Sequence, residues 1–248
     1  YTFAGWSPAV PGTMPANNTT CVAQWTLNSY TITWAANGGT GGGSNTATHG
    51  ATPTPIDPGT RTGYTFTGWS PAIVPATGPA TYTAQWSVNS YTIFFDEAGG
   101  SAVADITQNY GTTVTAPANP TRTGYTFAGW SPSVPSTMPA GNTTCVAQWT
   151  INQYTISFNS NGGSAVSSIT QNYNPAVTAP ANPTRTGYSF TGWSPAVPST
   201  MPANNTTCVA QWSVNSYTIT FDANGGTGGT GPTSMVYGSA LSAPTVTR

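Results

Sequence analysis

Any catalytic or metal chemistry in this 248-residue chain would have to be built from three cysteines, one histidine and five acids. Cys21, Cys145 and Cys208 each head the same pentapeptide, CVAQW, and Tyr82 takes their place in a fourth copy, YTAQW. One thiol per copy permits disulfides between copies or chains, which would suit an oxidising compartment. The alternative is a buried thiol filling a leucine-sized site, the commoner fate of a free cysteine. Cys21 shares a strand face with Ala23 and Trp25, which favours the buried thiol. A thioester between Cys21 and Gln24 is disfavoured, since residues three apart on a strand face opposite ways. His49 stands alone in the segment SNTATHGATPTP, without the converging ligands a metal needs. The acids Asp57, Asp96, Glu97, Asp105 and Asp222 are spread too thinly for paired-carboxylate catalysis or a calcium loop. The expectation is a chain with no catalytic residue, no metal and no cofactor.

Other polar residues recur at fixed places. Arg61, Arg122, Arg185 and Arg248 are the only basic side chains apart from His49. They either read an anionic ligand or pack on a neighbouring Tyr or Trp while bonding carbonyls, and the packing role is favoured. Asn18, Asn142 and Asn205 head Asn-Thr-Thr triplets that fit the N-glycosylation acceptor pattern, or are turn residues leading into a strand. Lysine–asparagine isopeptide links are excluded, because the chain has no lysine.

These residues sit in a tandem array, the feature that decides architecture first. YTFAGWSP at Tyr1 returns at Tyr64, Tyr125 and Tyr188, in steps of 63, 61 and 63 residues. The tyrosines of the YTI block, Tyr30, Tyr91, Tyr154 and Tyr217, each precede the arginine of RTGY by 31 residues. Between Trp6 and Trp25, Trp130 and Trp149, and Trp193 and Trp212 the step is 19, but between Trp69 and Trp86 it is 17. Length variation therefore falls in the SPAVPSTMPANNTT loop, where it is cheapest. The phase gives 1–27 as the second half of a repeat, 28–88, 89–151 and 152–214 as whole repeats, and 215–248 as the first half of one. The half-repeats at either end point to a window on a longer array; the other reading has a neighbouring molecule complete them by strand complementation.

Charged residues are 4% of the chain and the net charge is −1, so the basic stripe that nucleic-acid binding requires is missing. No apolar run reaches the roughly 18 residues of a membrane span. Nine Trp, 12 Tyr and 8 Phe supply core material that a disordered chain lacks. Periodicity is that of strands. Tyr30, Ile32 and Trp34 alternate with threonines, glycine pairs follow as turn formers, and ITQNYG around Tyr110 reads as a further strand. In YTFAGW the opposite parity of Phe3 and Trp6 around Gly5 implies a bulge or a strand buried on both faces. The Pro-rich APANPTRTG admits at most one helical turn. The fold class expected is mostly β, α+β at most. Its core would be formed by Trp6, Trp25, Tyr30, Trp69, Trp86, Tyr91, Trp130, Trp149, Tyr154, Trp193, Trp212 and Tyr217.

The ordered blocks YTITFDANGGTGG, YG, APANPTRTGYTFAGW and NTTCVAQW resemble the internalin-type B repeat, or Listeria-Bacteroides repeat, over essentially the whole chain. The family often has Lys where this chain has Gln in AQW, and a leucine-like residue where it has Cys. The resemblance implies small β-grasp-like repeats, secreted or surface-attached bacterial proteins, and stalk or adhesive roles without enzymatic activity. The tetrapeptide links, TLNS, SVNS, TINQ and SVNS, are too short and too free of Gly and Pro to be flexible tethers. Four units in line would form a rod on the order of 100 Å long.

Two functions follow as expectations: a structural segment of a secreted surface stalk or filament, whose partners are other copies or adjoining repeats, and an adhesin engaging host protein or glycan through the variable loop. The aromatics leave sugar stacking open as a means for the second.

Overall fold

The computed structural model describes residues 1–229 and 231–248, and among them every regular element is a strand. Three complete repeats each contribute four: β3 (Ser29–Ala35), β4 (Gly43–Thr48), β5 (Tyr64–Ser70) and β6 (Ala80–Val88); β7 (Ser90–Asp96), β8 (Ile106–Asn109), β9 (Tyr125–Ser131) and β10 (Thr143–Ile151); β11 (Gln153–Asn159), β12 (Ile169–Asn172), β13 (Tyr188–Ser194) and β14 (Thr206–Val214). They are preceded by β1 (Thr2–Ser7) and β2 (Val22–Thr26). They are followed by β15 (Ser216–Ile219), β16 (Thr227–Gly228), β17 (Thr233–Val236) and β18 (Val246–Thr247). No helix among the described residues is long and apolar enough to cross a membrane.

Each complete repeat is one four-stranded sheet in the order second, first, fourth, third: β4-β3-β6-β5, β8-β7-β10-β9 and β12-β11-β14-β13. The two outer pairings are antiparallel. The central pairing is parallel in repeats 28–88 and 152–214, with Ile32 opposite Ala80 and Trp34 opposite Tyr82 in the first, and Ile156 opposite Thr206 and Phe158 opposite Cys208 in the second. The chain forms two compact units. One comprises Tyr1–Asp96, Val103–Pro117 and Pro132–Cys145; the other comprises Glu97–Ala102, Ala118–Ser131 and Val146–Arg248. The division falls inside 89–151.

The expected bulge is present in every YTFAGW strand. Phe66 pairs with Trp86 and Gly68 with Gln85, leaving Thr67 as the extra residue, and the same shift recurs at Phe3/Gly5 and Phe190/Gly192. The bulge undoes the opposite parity of Phe and Trp, so both point to one face. Phe66 then meets Trp69 edge-on at 5.5 Å and Trp86 at 5.6 Å, and Phe190 repeats this with Trp193 and Trp212.

The deepest core is built from the middle of the first strand and the start of the fourth. Ile32, Ile93 and Ile156 are fully buried, as are Trp34, Ala84 and Ala210. Trp34 stacks on Tyr82 at 4.9 Å and donates its indole N–H to Asn45. Tyr30, Trp69, Trp86, Tyr91, Trp130, Trp149, Tyr154, Trp193 and Trp212 are half-buried around this centre. Three of the expected core aromatics are corrected: Trp6 is 48% exposed, Trp25 59% and Tyr217 53%. They lie on the two-stranded sheets β1-β2 and β15-β17. Those sheets lack the second strand pair that covers the same positions in a complete repeat.

Candidate functional site

Two places in the fold concentrate side chains whose role is not merely to be apolar: the junction from one repeat to the next, and the loop between the third and fourth strands.

The junction begins at RTGY. Arg61, Arg122 and Arg185 accept at their carbonyls from the N–H of Tyr64, Tyr125 and Tyr188 at 3.0, 3.0 and 3.1 Å, closing a four-residue turn. The third residue of each turn, Gly63, Gly124 or Gly187, has φ of 76 to 79°, a conformation that costs an L side chain energy and glycine none. Each guanidinium lies over the tyrosine of its own turn, 3.9 to 4.0 Å from the ring centre. Arg61 and Arg185 also donate to the carbonyls of Asn37 and Asn161, at 3.3 and 3.1 Å. The charge of each of these arginines is thus held against a π face.

A tyrosine of the following repeat completes the junction. Tyr110, Tyr173 and Tyr237 lie on Gly63, Gly124 and Gly187, where a Cβ would collide with the ring. They meet Tyr64, Tyr125 and Tyr188 edge-on at 6.0 to 6.2 Å. Glycine is therefore required twice at one position, for its φ and for the neighbour's ring. The connecting residue is an asparagine. Asn152 donates its N–H to the Gly124 carbonyl and accepts from the N–H of Tyr173. Its side-chain oxygen accepts from the Thr126 hydroxyl at 2.7 Å, and its amide donates to the Tyr154 hydroxyl at 3.3 Å. Asn89 and Asn215 repeat all four bonds with their own neighbours. Asn28 accepts from the His49 N–H and the Thr2 hydroxyl. There His49 occupies the tyrosine's place, against the ring of Tyr30. Arg248 is exposed.

The loop is anchored from beneath. Met138 and Met201 are buried to 1% exposure, with Ala76 in the same place in the shortened repeat. The backbone of each pairs with the segment after the second strand: Met138 with Gly111 and Thr112, Met201 with Asn174 and Pro175, Ala76 with Gly50 and Ala51. Cys145 and Cys208 are fully buried free thiols, and burial pushes their pKa up, since a thiolate there would lose its hydration. Cys21, on the two-stranded sheet, is only half-buried. Asn142 and Asn205 accept at their side-chain oxygens from the N–H groups of Thr92 and Thr155, both at 2.9 Å. Asn18 is exposed. Among the described residues, no three of the His, Cys, Asp and Glu side chains gather as metal ligands would.

Sequence reasoning passed over the junction asparagines, the tyrosines on glycine and the buried methionines. Each had a signal: the asparagines stand two residues before the YTI tyrosine in every copy, the tyrosines 19 or 20 after it, and Met138 and Met201 eight after the GW tryptophan. Their types, however, read as turn and loop residues when taken singly.

Fold and junctions together define a class: tandem small all-β repeats joined through a fixed polar and aromatic connection. The chain belongs to the Listeria-Bacteroides repeat family, which matches it at residues 30–89, 91–148, 154–211 and 217–248. It is 30% identical, over 91% of its length, to a protein of Evansella cellulosilytica described as a Gly-rich membrane protein. It is 33% identical over 57% of its length to Internalin H of Listeria monocytogenes. The chain spans 30% and 28% of the lengths of these two relatives.

Proposed function

We propose that the chain is a non-enzymatic structural segment of a secreted bacterial surface stalk or extracellular filament. The repeat family is typical of surface proteins such as internalins. The observation that carries the reading is the junction, built from the same residue types three times over. A stalk needs each unit oriented by the one before it. A connection whose asparagine makes four hydrogen bonds, beside a glycine filled by the neighbour's ring, leaves little torsional freedom to a linker. The strand order within each repeat supports a β-grasp-like unit in which the Pro-rich segment stands in place of a crossover helix.

The alternative adhesin reading would place ligand contacts on the loop between Trp69 and Trp86 and its equivalents. The burial of Ala76, Met138 and Met201 beneath that loop favours a structural role for it.

Donor and acceptor dyes on exposed threonines of repeats 89–151 and 152–214 test the stalk. Single-molecule energy transfer should give one narrow distance distribution, and Asn152→Gly together with Gly124→Ser should broaden it. A broad distribution in the unsubstituted chain would overturn the stalk. Electron microscopy of concentrated protein decides between isolated rods and regular fibres.

A further inference from the structure

We infer that repeats 28–88 and 152–214 are mechanical clamps, built to resist tension applied along the chain. This deepens the stalk reading and takes its biological setting from it. The geometry comes from the central parallel pair. The chain enters the repeat at the start of β11 and leaves it at the end of β14, and these two strands are adjacent and parallel. Entry and exit thus lie at opposite ends of the same ladder. Hydrogen bonds between strands run across the strand direction, so tension between entry and exit loads every bond of the ladder together in shear. The same holds for β3 and β6. Had the terminal strands been antiparallel, the load would fall on one bond at a time.

Side chains extend this ladder at both ends. At the entry end the Asn205 side-chain oxygen, from just before β14, accepts the Thr155 N–H of β11. At the far end the Asn161 amide, just after β11, donates to the Ala210 carbonyl of β14, and the Trp212 indole donates to the Ser160 carbonyl. All three bonds join the segments that tension would slide apart, although residues 155 and 205 are fifty apart in sequence. This gives Asn205 and Asn161 a purpose that turn chemistry does not. The repeats are graded accordingly. Repeat 28–88 keeps Asn37 bonded to the Ala84 carbonyl and Trp86 bonded to Ala36, but has Pro79 at the Asn205 position. Repeat 152–214 has the full set and should be the stronger of the two.

Forced unfolding reads the barrier directly. With the full chain held by handles at its two termini in optical tweezers, we expect three unfolding events, each releasing about 200 Å of chain. Moving the handles to Thr186 and Ser216, where β13 and β14 would unzip, should lower the force for that repeat several-fold. Asn205→Ala should lower one of the three end-to-end forces and leave two unchanged. Asn205→Asp, which keeps an acceptor oxygen, should restore most of it. Circular dichroism checks that both variants fold. Equal forces in the two pulling directions, or an Asn205→Ala variant that folds and unfolds at the original force, would overturn the clamp. Loose junctions in the energy-transfer experiment would sink the stalk without touching this result.

Discussion

At the scale of single residues, the chain places two of its three thiols where they cannot react. Cys145 and Cys208 have no solvent exposure, while Cys21 is half-buried. A maleimide added to the native protein should therefore label Cys21 first and the other two only after denaturant, as mass spectrometry of the digest would show. The raised thiol pKa values fix the sign of an alkaline effect. Below the ordinary thiol range both folded and unfolded states hold the proton, and the thiols contribute no pH dependence. Above it the unfolded chain ionises while the buried thiols do not, so stability falls as pH rises. Replacing both cysteines by alanine should flatten that fall in a urea series run through the alkaline range. Gly124 makes a sharper test. Gly124→Ala must accept φ of 79° and displace the Tyr173 ring, so the loss should exceed ~1 kcal/mol, read from the shift in denaturation midpoint. Gln171 shows the cost of drift between repeats. Its side-chain oxygen is buried without a partner, and Pro175 stands where Thr112 donates a hydroxyl to Gln108.

The elements show what the sequence made legible and what it hid. The period of two in YTITW and the parity clash in YTFAGW announce a strand and a bulge, because both are local consequences of where side chains point. The parallel pairing of first and fourth strands has no local signature. It follows from burying Ile156 and Cys208 on one sheet across some fifty residues of intervening chain. The methionine loop misled for the same reason. Pro, Ser, Thr and Asn around Met201 read as surface, yet the loop is pinned by backbone bonds to the segment after β12 and drops Met201 inward, with Val197 packed beside it. Met201→Ala should accordingly cost about 2–5 kcal/mol, as a buried large-to-small change does, whereas exposed Met14 in the same loop of residues 1–27 should tolerate alanine with no measurable change. Trp6, Trp25 and Tyr217 are exposed because they lie on two-stranded sheets, a consequence of the half-repeat phase at 1–27 and 215–248 that the core expectation left out.

Over the molecule as a whole, electrostatics is nearly silent. Five acids face four arginines, and Arg61, Arg122 and Arg185 lie over tyrosine rings. Screening acts on exposed charge pairs, so the thermal midpoint should hardly move between low and high sodium chloride, as differential scanning calorimetry would show. A fall on adding salt would mean that charge pairs, rather than burial and hydrogen bonds, carry part of the stability.

The glycine occupied by the next repeat's ring also bears on how such a chain can change over generations. A junction assembled from one glycine, one asparagine, one tyrosine and the hydroxyl and ring partners that recur beside them asks little else of either repeat. Gly124, Asn152 and Tyr173 could trade places with Gly63, Asn89 and Tyr110 without remodelling either side. Unequal recombination between near-identical coding segments would then add or remove whole repeats in frame, each joining its new neighbour by the same fitting. Length becomes a heritable quantity that varies in steps of one repeat, at no cost in folding.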